Sequence, residues 1–122
     1  MSSGSAQTTS ETILIYGSDE ALLGTRTMVL ENAGFRVLTT LKRADTEAVI
    51  EGGDILLVVL CHSLASDDCE AILTFANGRT PPLKTLVLTA GESKCSEHSP
   101  TESLSAFDGP RKLIETVQHL LC

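Results

Sequence analysis

The residues of this chain that could do chemistry stand mostly at the ends of apolar runs. Cys61 and His62 close the run DILLVVLC, Asp54 to Cys61. A thiol beside an imidazole can act as an activated nucleophile or a redox centre. Neighbouring residues of a strand point to opposite faces, however, and no glycine-rich elbow surrounds the pair. The favoured reading of Cys61 is therefore an unreactive residue at a strand end, with a redox or thiol-reactive role as the alternative. A second candidate is YGSDE, Tyr16 to Glu20. Gly17 and Ser18 could present backbone N–H groups to an anion at a helix start. The stretch is neither GxGxxG nor a P-loop, and Asp19 and Glu20 would oppose an anion. A tight turn with Ser18 as helix N-cap is the favoured reading.

Metal chemistry finds little in the sequence. Cys61, Cys69, Cys95 and Cys122 contain no CxxC pair, and His62, His98 and His119 have no ligand spacing. Four reduced thiols and no metal or cofactor are expected. The net charge of −7 sets the chain against nucleic-acid phosphates and acidic membrane surfaces, so neither is an expected partner. No apolar stretch approaches the roughly 20 residues that span a bilayer. Met1 to Ser10 has no basic region followed by an apolar one, and a cytoplasmic protein is expected. At 122 residues, 42% of them apolar, the chain has the size and composition of one domain with its own core.

The elements that must position these residues alternate along the chain. Residues 1–10 read as a disordered tail and 11–122 as the domain. Thr12 to Tyr16 is a buried strand, and Ser18, Asp19 and Glu20 begin a helix whose inward face reads Leu22, Arg26, Val29, Leu30 and Ala33. Gly34 stops it. Phe35 to Thr39 is a second strand. Arg43 to Ile50 is a shorter helix in which either Ala44, Ala48 and Val49 or Glu47 and Ile50 face inward. Asp54 to Cys61 is apolar without alternation, as a central strand covered on both sides must be. Ser66 caps a helix reaching Ala76, and Lys84 to Thr89 is a fourth strand. Gly91 to Thr101 is polar, so any helix there is short or absent. Ser103 to Phe107 is a fifth, edge strand, and Pro110 opens a last helix with Leu113, Ile114, Val117, Leu120 and Leu121 as its stripe. This (βα)5 order implies an α/β, flavodoxin-like, doubly wound five-stranded parallel sheet in the order 2-1-3-4-5. Its site rim would gather Gly17, Ser18, Asp19, Cys61, His62, Thr89, Ala90 and Gly109 at the carboxyl ends of the strands.

With these elements in place, the chain from about Thr12 to Leu121 resembles a response-regulator receiver domain. The resemblance implies an acid pair for Mg²⁺ after the first strand, where this sequence has Gly17 and Ser18, with Asp19 one step late. It implies a phosphoacceptor aspartate ending the third strand, where Cys61 stands, or Val59 in a register shifted by two. The family's Thr/Ser of the fourth strand is matched by Thr89, followed by Ala90. The family's Lys-Pro after the fifth strand is matched by Gly109-Pro110, and its strand-five aromatic by Phe107. Phosphoryl transfer needs a carboxylate nucleophile, oxygen ligands for the metal and a cation on the phosphoryl group. The chain thus resembles a degenerate, pseudo-receiver form. The function implied is a non-enzymatic signalling module that works through a protein partner or self-association, with Mg²⁺ binding not expected.

Overall fold

The two most apolar runs of the sequence lie side by side in the sheet. In the computed structural model, which describes residues 12–80, 82–89 and 102–121, β1 (Thr12–Tyr16) is buried along its whole length. β3 (Ile55–Leu60) is buried except at Leu56. The expected tail, Ala90, the polar stretch 91–101, Cys95, His98 and Cys122 lie outside the described residues. β2 (Arg36–Thr40), β4 (Lys84–Thr89) and β5 (Glu102–Ser105) complete a five-stranded parallel sheet in the order β2-β1-β3-β4-β5. Ile13 pairs with Val37 on one side and Leu57 on the other, Val59 with Leu86, and Leu88 with Leu104.

Strand alternation divides the core into two layers. Ile13, Ile15, Leu57, Val59, Leu86 and Leu88 pack with α1 (Glu20–Asn32) and with the last helix, α4 (Pro110–Leu121), through Leu23, Leu30, Leu113, Val117 and Leu120. Leu14, Tyr16, Val58, Leu60 and Val87 pack on the other face with α2 (Arg43–Glu51) and α3 (Ser66–Asn77), through Ile50, Cys69, Ile72 and Leu73. Helices on both faces leave central strands no polar side, which is why β3 carries no alternation in sequence. Lys84 reaches across to donate from Nζ to the Leu120 carbonyl, satisfying an orphan acceptor near the end of α4.

Several local expectations shift. Asp19, not Ser18, is the N-cap of α1, because its Oδ1 accepts from the Ala21 and Leu22 amides. The inward face of α1 is Leu23, Arg26 and Leu30, with Leu22, Val29 and Ala33 half-buried. Gly34 does end the helix, in the left-handed region at φ +100°. The inward pair of α2 is Thr46 and Ile50: Ile50 belongs to one of the two expected faces, and Thr46 to neither. Thr46 is tolerated inside because its hydroxyl bonds the Lys42 carbonyl and Thr40 Oγ1. Ser66 is the first residue of α3, and the cap position belongs to Ala65, with no side-chain bond. β5 ends at Ser105, so Phe107 lies in the following turn and is 74% exposed. The expectation of four reduced thiols is corrected at Cys69, which is disulfide-bonded. A pairing made by distance in space leaves no CxxC mark in the chain. Among the described residues, no helix is long and apolar enough to cross a membrane.

Candidate functional site

The carboxyl ends of β1 and β3 meet at Gly17 and Cys61. The Cys61 amide donates to the Tyr16 carbonyl at 3.0 Å and the Gly17 amide to the Thr40 carbonyl at 3.3 Å, so the ladder continues one residue past the strands. A Cβ on Gly17 would stand 3.0 Å from Cys61 Cβ, 3.2 Å from Cys61 Sγ and 3.2 Å from Leu23 Cδ2. The space in front of Gly17 is thus tight, and a side chain there would make Cys61 or Leu23 give by a few tenths of an ångström. Cys61 is free and only 3% exposed. Burial pushes its thiol above the ordinary range, against the charge and hydrogen bond of the adjacent Arg26 guanidinium, while Asp19 adds to the rise. A reactive thiol needs the opposite shift, so the geometry gives the redox alternative no support.

The remaining expected site residues do not converge on one pocket. Ser18 is tied to the loop after β3: its amide donates to Ser63 Oγ at 3.2 Å and its hydroxyl to the Ser63 carbonyl at 2.8 Å. Ser18 and Asp19, with Glu20, Leu41 and Ser63, line an open depression. Thr89 is half-buried, and its hydroxyl donates at 3.5 Å to the Leu104 carbonyl of the neighbouring strand β5. Gly109, at φ +93°, and Pro110 line a separate cavity with Arg26 and Ser105. His62 does not pair with Cys61. Its ring packs at 5.6 Å on Phe107, tilted by 58°, and among the described residues its buried Nδ1 finds no hydrogen-bond partner. Among the described residues, no three His, Cys, Asp or Glu side chains come together as a metal site.

Leu23, Ser63 and the site role of Arg26 are absent from the sequence reading. Arg26 left a signal, since a cation stood in the expected apolar face of α1. Ser63 left none, because its bonds span 45 residues of chain.

Five parallel strands in this order, with helices on both faces, define a flavodoxin-like doubly wound fold. Among solved structures that fold is matched by receiver domains, and the chain has the receiver fold. A signal receiver domain from a protein named as a Luxo repressor of Vibrio parahaemolyticus is 16% identical, with a TM-score of 0.79 over 91% of this chain and 89% of that one. The chemotaxis protein CheY4 of Vibrio cholerae is 15% identical, with a TM-score of 0.74 over 90% and 98%. HP1043, an orphan response regulator of H. pylori, is 16% identical, with a TM-score of 0.73 over 93% and 98%. No family model and no curated protein matches the chain by sequence.

Proposed function

We propose that the chain is a receiver-like signalling module that acts through protein–protein contacts and does not accept a phosphoryl group on aspartate. The observation that carries this reading is the packing of Gly17 against Cys61 and Leu23. At the position matching the acceptor stands a buried thiol that burial keeps protonated, not a carboxylate. At the position matching the first metal-binding acid there is no side chain, and Cys61 and Leu23 crowd the space one would take. Asp19, the nearest acid, is engaged with the amides of its own helix. These residues do not fit Mg²⁺, which wants several oxygen ligands in octahedral array. Gly109 supplies no cation where the resemblance implies lysine. We therefore read the chain as non-enzymatic. The disulfide at Cys69 speaks against the expected cytoplasmic compartment, since such bonds are rare under reducing conditions.

Contact with a protein is supported by apolar side chains left in solvent. Phe107, resting on His62, is one, and Leu38 and Leu41 near the outer strand β2 are others. The test is an amide-resolved NMR titration with Mg²⁺ followed by beryllofluoride. The expected result is no saturable shift at Gly17, Ser18, Cys61, Thr89 or Gly109. Saturable shifts there would make the protein a working phospho-switch and end this reading.

A further inference from the structure

The central strand β3 holds one leucine in water. Leu56 is 39% exposed, although its neighbours in the strand, Ile55 and Leu57, are both buried. The cause is a slip of register against β1. Thr12 pairs with Ile55 and the next residue, Ile13, with Leu57, so Leu56 is an extra residue with no place opposite β1. Pairing with β4 begins only at Leu57 with Lys84. Regular alternation would put Leu56 in the same layer as Val58 and Leu60. Ile55 takes that place instead, and Leu56 is turned out. A bulge of this kind re-aims a side chain, and here it leaves the burial of a leucine unused.

Leu56 lines a groove of about 490 Å³ at the amino ends of β3 and β4. Ile55, Pro82, Leu83 and Leu121 supply more of its apolar wall. Two cations, Arg79 and Lys84, stand in the wall, and among the described residues no carboxylate does. Arg79 lies 6.0 Å over the ring of Phe75, and Lys84 donates from Nζ to the Leu120 carbonyl. Neither is in an ion pair among the described residues. Asp54, the acid next to Ile55 in sequence, lines a different depression with Glu31 and Arg36. The groove is thus apolar and locally positive in a chain whose net charge is −7.

We propose that this groove docks an acidic segment of another protein that presents leucine-like side chains, an inference that rests on reading the chain as a module that acts through protein contacts. The apolar side chains of the segment cover Leu56 and Leu83, and its carboxylates complement the charge of Arg79 and Lys84. A second copy of the chain meeting itself through this face would set the same two cations opposite each other, which disfavours it. A nucleic acid would gain two cations here against the net charge of −7 on the whole chain.

The test is an NMR titration of the full chain with a capped peptide of two leucines flanked on each side by two acids. Two control peptides replace its acids by the matching amides or its leucines by serines, and a short oligothymidylate is the third control. The expected result is saturable shifts at the amides of Ile55, Leu56, Arg79, Leu83 and Lys84. Affinity should fall about fivefold with the amide peptide and at least about tenfold with the serine peptide. Leu56→Thr keeps a strand former and removes the apolar end, and Arg79→Gln removes a charge; each should weaken binding at least about threefold. If either variant does not fold, the comparison of peptides on the native chain still decides. Absence of saturable shifts with the acidic leucine peptide, equal affinity for any of the three controls, shifts confined to other residues, or self-association of the chain through these residues would each overturn the proposal. The titration with Mg²⁺ and beryllofluoride follows residues that do not line the groove, so a failure of the underlying reading is seen separately.

Discussion

Gly17 and Cys61 form a single packing unit, and its energetics can be measured. In Gly17→Ala the new methyl meets Cys61 and Leu23 at 3.0–3.2 Å, and the nearest atom, Cys61 Cβ, is fixed to the backbone. We expect a loss of about 1–3 kcal/mol in denaturant unfolding, typical of overpacking. In a Cys61→Gly background the same substitution should cost less than half as much, a coupling that a double-mutant cycle reads directly. Titration of Cys61 gives a second prediction. Its folded-state pKa lies above the ordinary value of 9.0. Above pH 9 the unfolded chain therefore releases this proton first. Stability is fully present below pH 9 and falls as the pH rises from there through the folded-state value. Cys61→Ala should flatten that part of the stability profile measured by urea unfolding. Native Cys61 should also react with iodoacetamide more slowly than a free thiol at neutral pH.

Among the elements, α1 depends on its start. Asp19→Ala removes the acceptor of two amides that have no partner within the helix, and we expect it to cost about 0.5–2 kcal/mol in the same assay. Ser18→Ala should leave the cap intact and break only the bonds to Ser63. Strands were the most legible elements: Thr12–Tyr16 and Lys84–Thr89 were bounded to the residue, because apolar runs ending in polar or turn residues mark a buried parallel strand. Helix starts were less legible. Ser18 was the expected cap of α1, with Asp19 in its first turn, and the turn geometry moves the cap to Asp19. The inward face of α2 was misread because Thr46 becomes a core residue only once Thr40 and the Lys42 carbonyl satisfy its hydroxyl.

At the scale of the whole molecule, the sheet's centre and edges differ in protection. β1 is buried throughout, whereas every residue of β2 is exposed or half-buried. Amide exchange should be slowest in β1 and β3 and markedly faster in β2 and β5, as measured residue by residue in D₂O. Equal protection across the sheet would show that the edges do not open separately. The topology was legible because strand–helix alternation admits few parallel arrangements. The candidate site was legible only in its vacancies, at Gly17, Ser18, Cys61 and Gly109. Chain order cannot show that Cys61 packs against Gly17, nor that the buried Arg26 reaches the Cys61 thiol.

The interlock of Gly17 with Cys61 also constrains the order in which this chain can change. A side chain at position 17 crowds Cys61 and Leu23, so a smaller residue at position 61 eases its entry. Substitutions at these two positions are therefore coupled: a change at position 17 costs more while Cys61 is present than after it has been made smaller. Such a site makes the effect of each change depend on which of the two came first.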